Sequence, residues 1–137
     1  MPPSAPHAMV HVTPALVFAL AGPLQKLIML LLIAASIAAL TVLAVKLGGG
    51  RRLNGGSAYL AGLRLGGPII GVFGACLSLL NMTLGYANVP AELPLKVLAP
   101  GFAEAFMQTG LGFLAGSIAV LAHWAVESRI DRQVLGV

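Results

Sequence analysis

Few residues in this chain could do chemistry, and one of them stands apart. Of the four carboxylates, Glu92, Glu127 and Asp131 lie outside the long apolar stretches, whereas Glu104 lies inside one. A charged side chain within a membrane-spanning helix costs between ~2.5 and more than ~10 kcal/mol, and such residues usually face a partner or a wet cavity. Gln108, four residues on, shares the helical face of Glu104, while Thr109, five residues on, lies about 140° around an ideal helix and addresses a different neighbour. Two plainer roles are also open to Glu104: reaching back to the outer interface, or complementing the positive end of a helix that starts near Pro100.

Other candidates carry less. His7 and His11 stand four apart and could set two metal ligands on one helical turn, but no third ligand lies nearby, so no metal site is expected. The glycine-rich loop 48–56 lacks the Gly-Lys-Ser/Thr ending of a phosphate-binding loop and reads as a turn with basic anchors. No Ser-His-Asp, Cys-His or paired-carboxylate constellation is present, so neither an enzyme nor a cofactor is expected. A lone cysteine cannot close an internal disulfide, and Cys76, set in an apolar stretch, reads as a small buried hydrophobe. The net charge is +4 and the pI near 9.9, yet the only basic run is Arg51-Arg52 and no aromatic residues interleave with it. Nucleic acid is therefore not an expected partner.

Something must position Glu104, and composition says what kind of element that is. The 137 residues are 58% apolar and only 9% charged, against ~25% charged in an average soluble domain. A soluble globular fold and intrinsic disorder are both excluded, the latter because it needs the opposite balance. Three apolar stretches are long enough to cross a bilayer: residues 24–47, 66–87 and 98–124. Pro23 opens the first and Gly48-Gly49-Gly50 closes it, while Asn88-Val89-Pro90 closes the second. The expected architecture is a single all-α membrane domain. Residues 1–22 form an uncleaved segment at the outer interface, 48–65 a cytoplasmic loop, 88–97 an outer loop and 125–137 a cytoplasmic tail.

Orientation follows from the basic residues near the span ends. Lys46, Arg51, Arg52, Arg64, Arg129 and Arg132 lie on one side, with Lys26 and Lys96 on the other. This places the N-terminus outside and the C-terminus in the cytoplasm. Trp124 then falls in the inner interfacial belt.

Two spans carry faces of small and polar residues. Gly67, Gly71, Gly74, Ser78, Asn81 and Gly85 recur at intervals of three and four, staying within about 40° of one line along the helix. In the third span Ala105, Thr109, Gly112 and Gly116 continue through Val120 to His123, with a GxxxG spacing at Gly112 and Gly116. Such stripes suit helix packing, since lipid offers no hydrophobic drive and small residues let backbones approach. They equally suit a water-lined face.

The run Ala99-Pro100-Gly101-Phe102-Ala103-Glu104-Ala105-Phe106-Met107-Gln108-Thr109-Gly110-Leu111-Gly112 resembles the third-span signature of the MotA/TolQ/ExbB proton-channel family. Upstream, Pro68-Ile69-Ile70-Gly71-Val72-Phe73-Gly74 is similar to the family's second-span Pro-x-x-Gly-Leu-Leu-Gly. The three-span layout with its N-terminus outside matches the TolQ and ExbB branch. The resemblance implies a ring of subunits, pentameric in the family, in the bacterial inner membrane, enclosing a dimer of a one-span partner of ExbD/TolR type whose membrane aspartate carries protons. Proton flow would then drive movement of that partner. The family's glutamate falls on Glu104 and its third-span threonine on Thr109, making these the expected ion-pathway residues. Gly67, Gly71, Gly74, Ala75, Ser78, Asn81, Gly112 and Gly116 would line the pore or pack helices. Two departures stand out: Ala75 replaces a threonine that usually follows the second-span glycines, and the 48–65 loop is far shorter than the family's. The chain would be a minimal form, unsuited to touching a flagellar rotor. A holin-like pore former is the alternative from another class, and a purely structural scaffold a third.

Overall fold

A computed structural model of the chain describes residues 13–48, 56–89 and 94–136. The His7–His11 pair, most of the glycine-rich loop and the start of the expected interfacial segment lie outside these. The described residues form four α-helices: α1 (Pro14–Leu20), α2 (Pro23–Leu47), α3 (Gly56–Ala87) and α4 (Ala99–Leu135), with a 3-10 turn at Leu95–Val97 leading into α4. No strand occurs among them. Three helices have stretches long and apolar enough to cross a membrane: Pro23–Leu47, Gly56–Ala87 and Ala99–Ser128.

Local chemistry sets the helix ends. Thr13 caps α1, its Oγ1 accepting from the Leu16 N–H at 3.3 Å, and Pro14 and Pro23 occupy first-turn positions where their missing N–H is no loss. Within the spans, hydroxyls fold back on their own helices. Ser36 donates to the Leu32 carbonyl and Thr41 to that of Ile37, each at 2.8 Å. In hydrocarbon that is the cheapest way to satisfy a hydroxyl.

The tightest packing is between α3 and α4, and the glycines permit it. A Cβ on Gly71 would stand 2.8 Å from the Gln108 carbonyl oxygen and from Gly112 Cα, and one on Gly112 would stand 2.6 Å from the Gly67 carbonyl oxygen. Backbone touches backbone here, which no larger residue would allow. Pro68 adds a second device. It cannot donate to the Arg64 carbonyl four residues back, and Gly116 of α4 lies beside both the Pro68 ring and that carbonyl oxygen. Helix α2 covers the pair with Ile28, Met29, Leu32 and Ala39, and a core of Ala39, Leu60, Leu63, Ala115, Ala119 and Ala122 joins all three helices. Tyr59 of α3 donates to the Ala35 carbonyl of α2 at 2.9 Å.

One expectation is corrected. Cys76 is exposed rather than buried, on the outer face of α3 beside Ile69, Val72 and Phe73. An apolar neighbourhood in sequence means interior only when water lies outside. For a membrane helix the outside is apolar too.

Candidate functional site

The site is assembled from one turn of each long helix. On α4, a separation of four residues brings Glu104 and Gln108 to the same face. On α3, the same separation aligns Gly74 with Ser78. The close α3–α4 seam then sets the two faces against each other. Ser78 Oγ donates to Glu104 Oε1 at 2.9 Å, and Gln108 Nε2 donates to the same oxygen at 3.5 Å. Helix α2 closes the side with Ile28, which lies, like the Gln108 amide, against the bare Cα of Gly74.

Burial grades across this cluster. Ser78 is buried, Glu104 is half-buried, and Gln108 is fully enclosed at 0% exposure. Gln108 Oε1 has no hydrogen-bond partner. Among the described residues no cationic side chain reaches Glu104, and the ion pair found is elsewhere, between His123 and Glu127 of α4 at 3.3 Å. Two neutral donors on one oxygen offset a carboxylate's charge only in part, at ~1.5–3 kcal/mol for a good charged hydrogen bond and less at 3.5 Å. No salt bridge fixes the carboxyl among the described residues. The other oxygen, Oε2, is given no donor.

The remaining candidates divide. Gly67, Gly71, Gly74, Gly112 and Gly116 meet in the α3–α4 seam, and Ala75 is buried beside it. Thr109 is half-buried, and its hydroxyl donates to the Ala105 carbonyl of its own helix at 2.9 Å, not to Glu104. Asn81 and Gly85 are exposed, beyond the end of the buried stripe. On α4 the buried line runs through Ala105, Gln108, Gly112, Ala115, Ala119, Ala122 and Val126, leaving Val120 exposed. Sequence reasoning placed Gln108 on the face of Glu104 but did not see that it is the fully buried member. The signal was its spacing, with no apolar residue at that turn of the face. Among the described residues no group of three or more His, Cys, Asp or Glu could hold a metal.

Residues 41–137 match the model of the MotA/TolQ/ExbB proton channel family. The biopolymer transport protein ExbB of Salmonella typhimurium is 35% identical over 74 residues, 54% of this chain and 30% of that protein. ExbB of Pseudomonas putida is also 35% identical over 74 residues, covering 22% of its length. The Tol-Pal system protein TolQ of Pseudomonas aeruginosa is 33% identical over 80 residues, 58% of this chain and 34% of its own. The chain thus spans about a third or less of the length of these curated relatives. No solved structure matches it.

Proposed function

The chain belongs to the MotA/TolQ/ExbB proton channel family and is a multi-pass inner-membrane protein; from that premise we propose that it is a subunit of a proton-driven motor. It would couple the proton motive force to movement of a one-span partner of ExbD/TolR type. The observation that carries this reading is Glu104, an acid inside a spanning helix, held by Ser78 and Gln108 with no counter-cation among the described residues. In the family the partner's membrane aspartate carries the proton, and Glu104 would be the polar residue that organises the pore region beside it.

The driving force suits the task, since one charge crossing is worth ~2.3 kcal/mol per 100 mV. In this reading the spans are residues 24–47, 66–87 and 98–124, with the N-terminus outside and the C-terminus in the cytoplasm. Copies of the chain assemble as a ring, pentameric as in the family. Apolar side chains on the outer faces of α3 and α4, among them Ile69, Phe73, Phe106 and Phe113, are exposed on the single chain and are available to lipid or to a neighbouring copy. Thr109 adds a pore-lining hydroxyl, and the seam glycines hold the second and third spans together. Family membership leaves the holin-like alternative without an observation of its own.

The test is Glu104→Gln, which keeps shape and hydrogen bonding but removes the charge. With a one-span partner co-reconstituted in proteoliposomes, proton flux should fall at least tenfold. Undiminished flux from a well-folded variant would refute the reading.

A further inference from the structure

Between α2 and α3 a groove of about 1060 Å³, open to one side, runs along α2 from Pro23 to Ala38, ~22 Å at 1.5 Å per residue. Its walls are apolar, and its floor is low because small residues form it: Ala34 and Ala38 on α2, Gly62 and Gly66 on α3. A Cβ on either glycine would meet nothing within 4 Å, so bare backbone faces open space. The hydroxyl of Tyr59, which also lines the groove, is taken up by the Ala35 carbonyl. One charged side chain lies there, that of Lys26, and it is half-buried.

The protein itself gives Lys26 nothing to pair with. Among the described residues no acid reaches it, and the ion pair found, His123 with Glu127, lies toward the other end of the bundle. Lys26 sits in the first turn of α2, where the positive end of the helix dipole opposes a cation. At 25 residues α2 is ~37 Å long, a little more than the ~30 Å hydrocarbon core it crosses. Its first turn therefore stands at the level of the lipid headgroups.

We propose that the α2–α3 groove holds one anionic phospholipid, its phosphate paired with the Lys26 ammonium and an acyl chain laid along Gly62, Gly66, Ala34 and Ala38. The charges are complementary at the end where a headgroup must lie, and the rest of the groove is as apolar as the chain that would fill it. Basic pockets between spanning helices recognise such headgroups. The long stem of the lysine lets its ammonium reach the phosphate while its methylenes stay against the groove wall. A neighbouring helix fits less well: over ~22 Å the groove averages ~50 Å² in section, against ~80 Å² or more for a helix 10–12 Å across. Glu104 plays no part in this site.

The experiment uses the full chain in mixed micelles, titrated with phosphatidylglycerol or with phosphatidylcholine of identical acyl chains and read by native mass spectrometry. Phosphatidylglycerol should bind once per chain and about tenfold more tightly than phosphatidylcholine, the effect of one charge-assisted contact. Lys26→Gln should erase that preference and leave both lipids binding weakly. Lys96→Gln removes an exposed cation at the same end of the bundle and should change nothing. Gly62→Leu fills the groove from an open position and should weaken both lipids about tenfold or more; Gly66→Leu gives the same reading if the first variant folds poorly by circular dichroism. Equal affinity for the two lipids, a preference lost equally in Lys96→Gln, or undiminished binding in the filled variants would overturn the proposal. So would displacement of phosphatidylglycerol by inorganic phosphate, which would leave only an anion site. A Gly62→Leu variant that changes the oligomeric mass but not the bound lipid would give the groove to a second copy instead.

Discussion

Gly71→Ala adds one methyl group to the α3–α4 seam, and the structure says what that methyl meets. It would stand 2.8 Å from the Gln108 carbonyl oxygen and Gly112 Cα, and 3.2 Å from the Gly112 nitrogen. All three are backbone atoms, so no side chain can swing aside. Ordinary contact begins at 3.4 Å, which means α3 and α4 must part by at least ~0.6 Å. A gap of ~0.5–1 Å forfeits a quarter to a half of each dispersion contact along the seam, and overpacking of this kind costs ~1–3 kcal/mol. Replacing a mid-helix glycine with alanine returns ~0.5–1 kcal/mol of helix propensity. The net expectation is a loss of ~0–2.5 kcal/mol against the native chain, and of the full ~1–3 kcal/mol against an alanine that gains propensity without the clash. Gly62 of α3 and Gly110 of α4 supply the controls, because a Cβ on either meets nothing within 4 Å. Gly62→Ala and Gly110→Ala should stabilise by the propensity gain alone. The assay is reversible unfolding in dilute mixed micelles, followed by far-UV circular dichroism and Trp124 fluorescence. Equal stability for Gly71→Ala and its two controls would mean that the seam is not where the helices meet.

Ser78→Ala removes the shorter of the two bonds to Glu104 and leaves the oxygen only the long one from Gln108. Stability should fall by ~0.5–1.5 kcal/mol, proton flux should change with it, and Ser78→Thr should restore part of both; a silent Ser78→Ala would mean the bond does not form in the membrane. Thr109→Val is nearly isosteric and breaks only a bond to the residue's own helix, so it should alter stability by less than ~1 kcal/mol. If Thr109 lines the ion path, flux should still fall severalfold in proteoliposomes, and unchanged flux would reduce its hydroxyl to a helix-internal role.

How much of this was legible before the fold is best argued from particular residues. The three spans were, because a bilayer demands some twenty apolar residues in a row and little else in a chain does. The seam was partly legible, since Gly67, Gly71, Gly74, Gly112 and Gly116 repeat at helical spacing and lipid makes small residues the means of close approach. The partner of Glu104 was not. Ser78 and Glu104 are 26 residues apart, and which hydroxyl meets which acid depends on the register between α3 and α4, fixed by backbone contacts that no pattern of types records. The error over Cys76 has the same root. Where both the inside of a bundle and its surroundings are apolar, hydropathy no longer distinguishes the buried face. The helix ends show a related limit: α4 runs to Leu135, well past Trp124, because hydropathy marks where the membrane stops and not where the hydrogen-bonded helix does.

Which ion the site suits follows from its oxygens. A bare hard cation must exchange its hydration shell for a set of protein oxygens, commonly six or more for the divalent ions. Here the oxygens that converge are the two of the Glu104 carboxyl and the Ser78 hydroxyl. The family's hydroxyl after the second-span glycines is absent, with Ala75 buried in its place. The Thr109 hydroxyl is engaged with the Ala105 carbonyl one turn back. Three oxygens drawn from two helices of one subunit make a poor cage for a dehydrated metal ion. A proton asks for less: one lone pair to occupy, a neighbour that tolerates both states, and no fixed cation to displace on leaving. Glu104 supplies the first, the Ser78 hydroxyl, which can donate or accept, the second, and the lack of a cationic partner at Glu104 among the described residues the third, so the donor set argues for proton coupling.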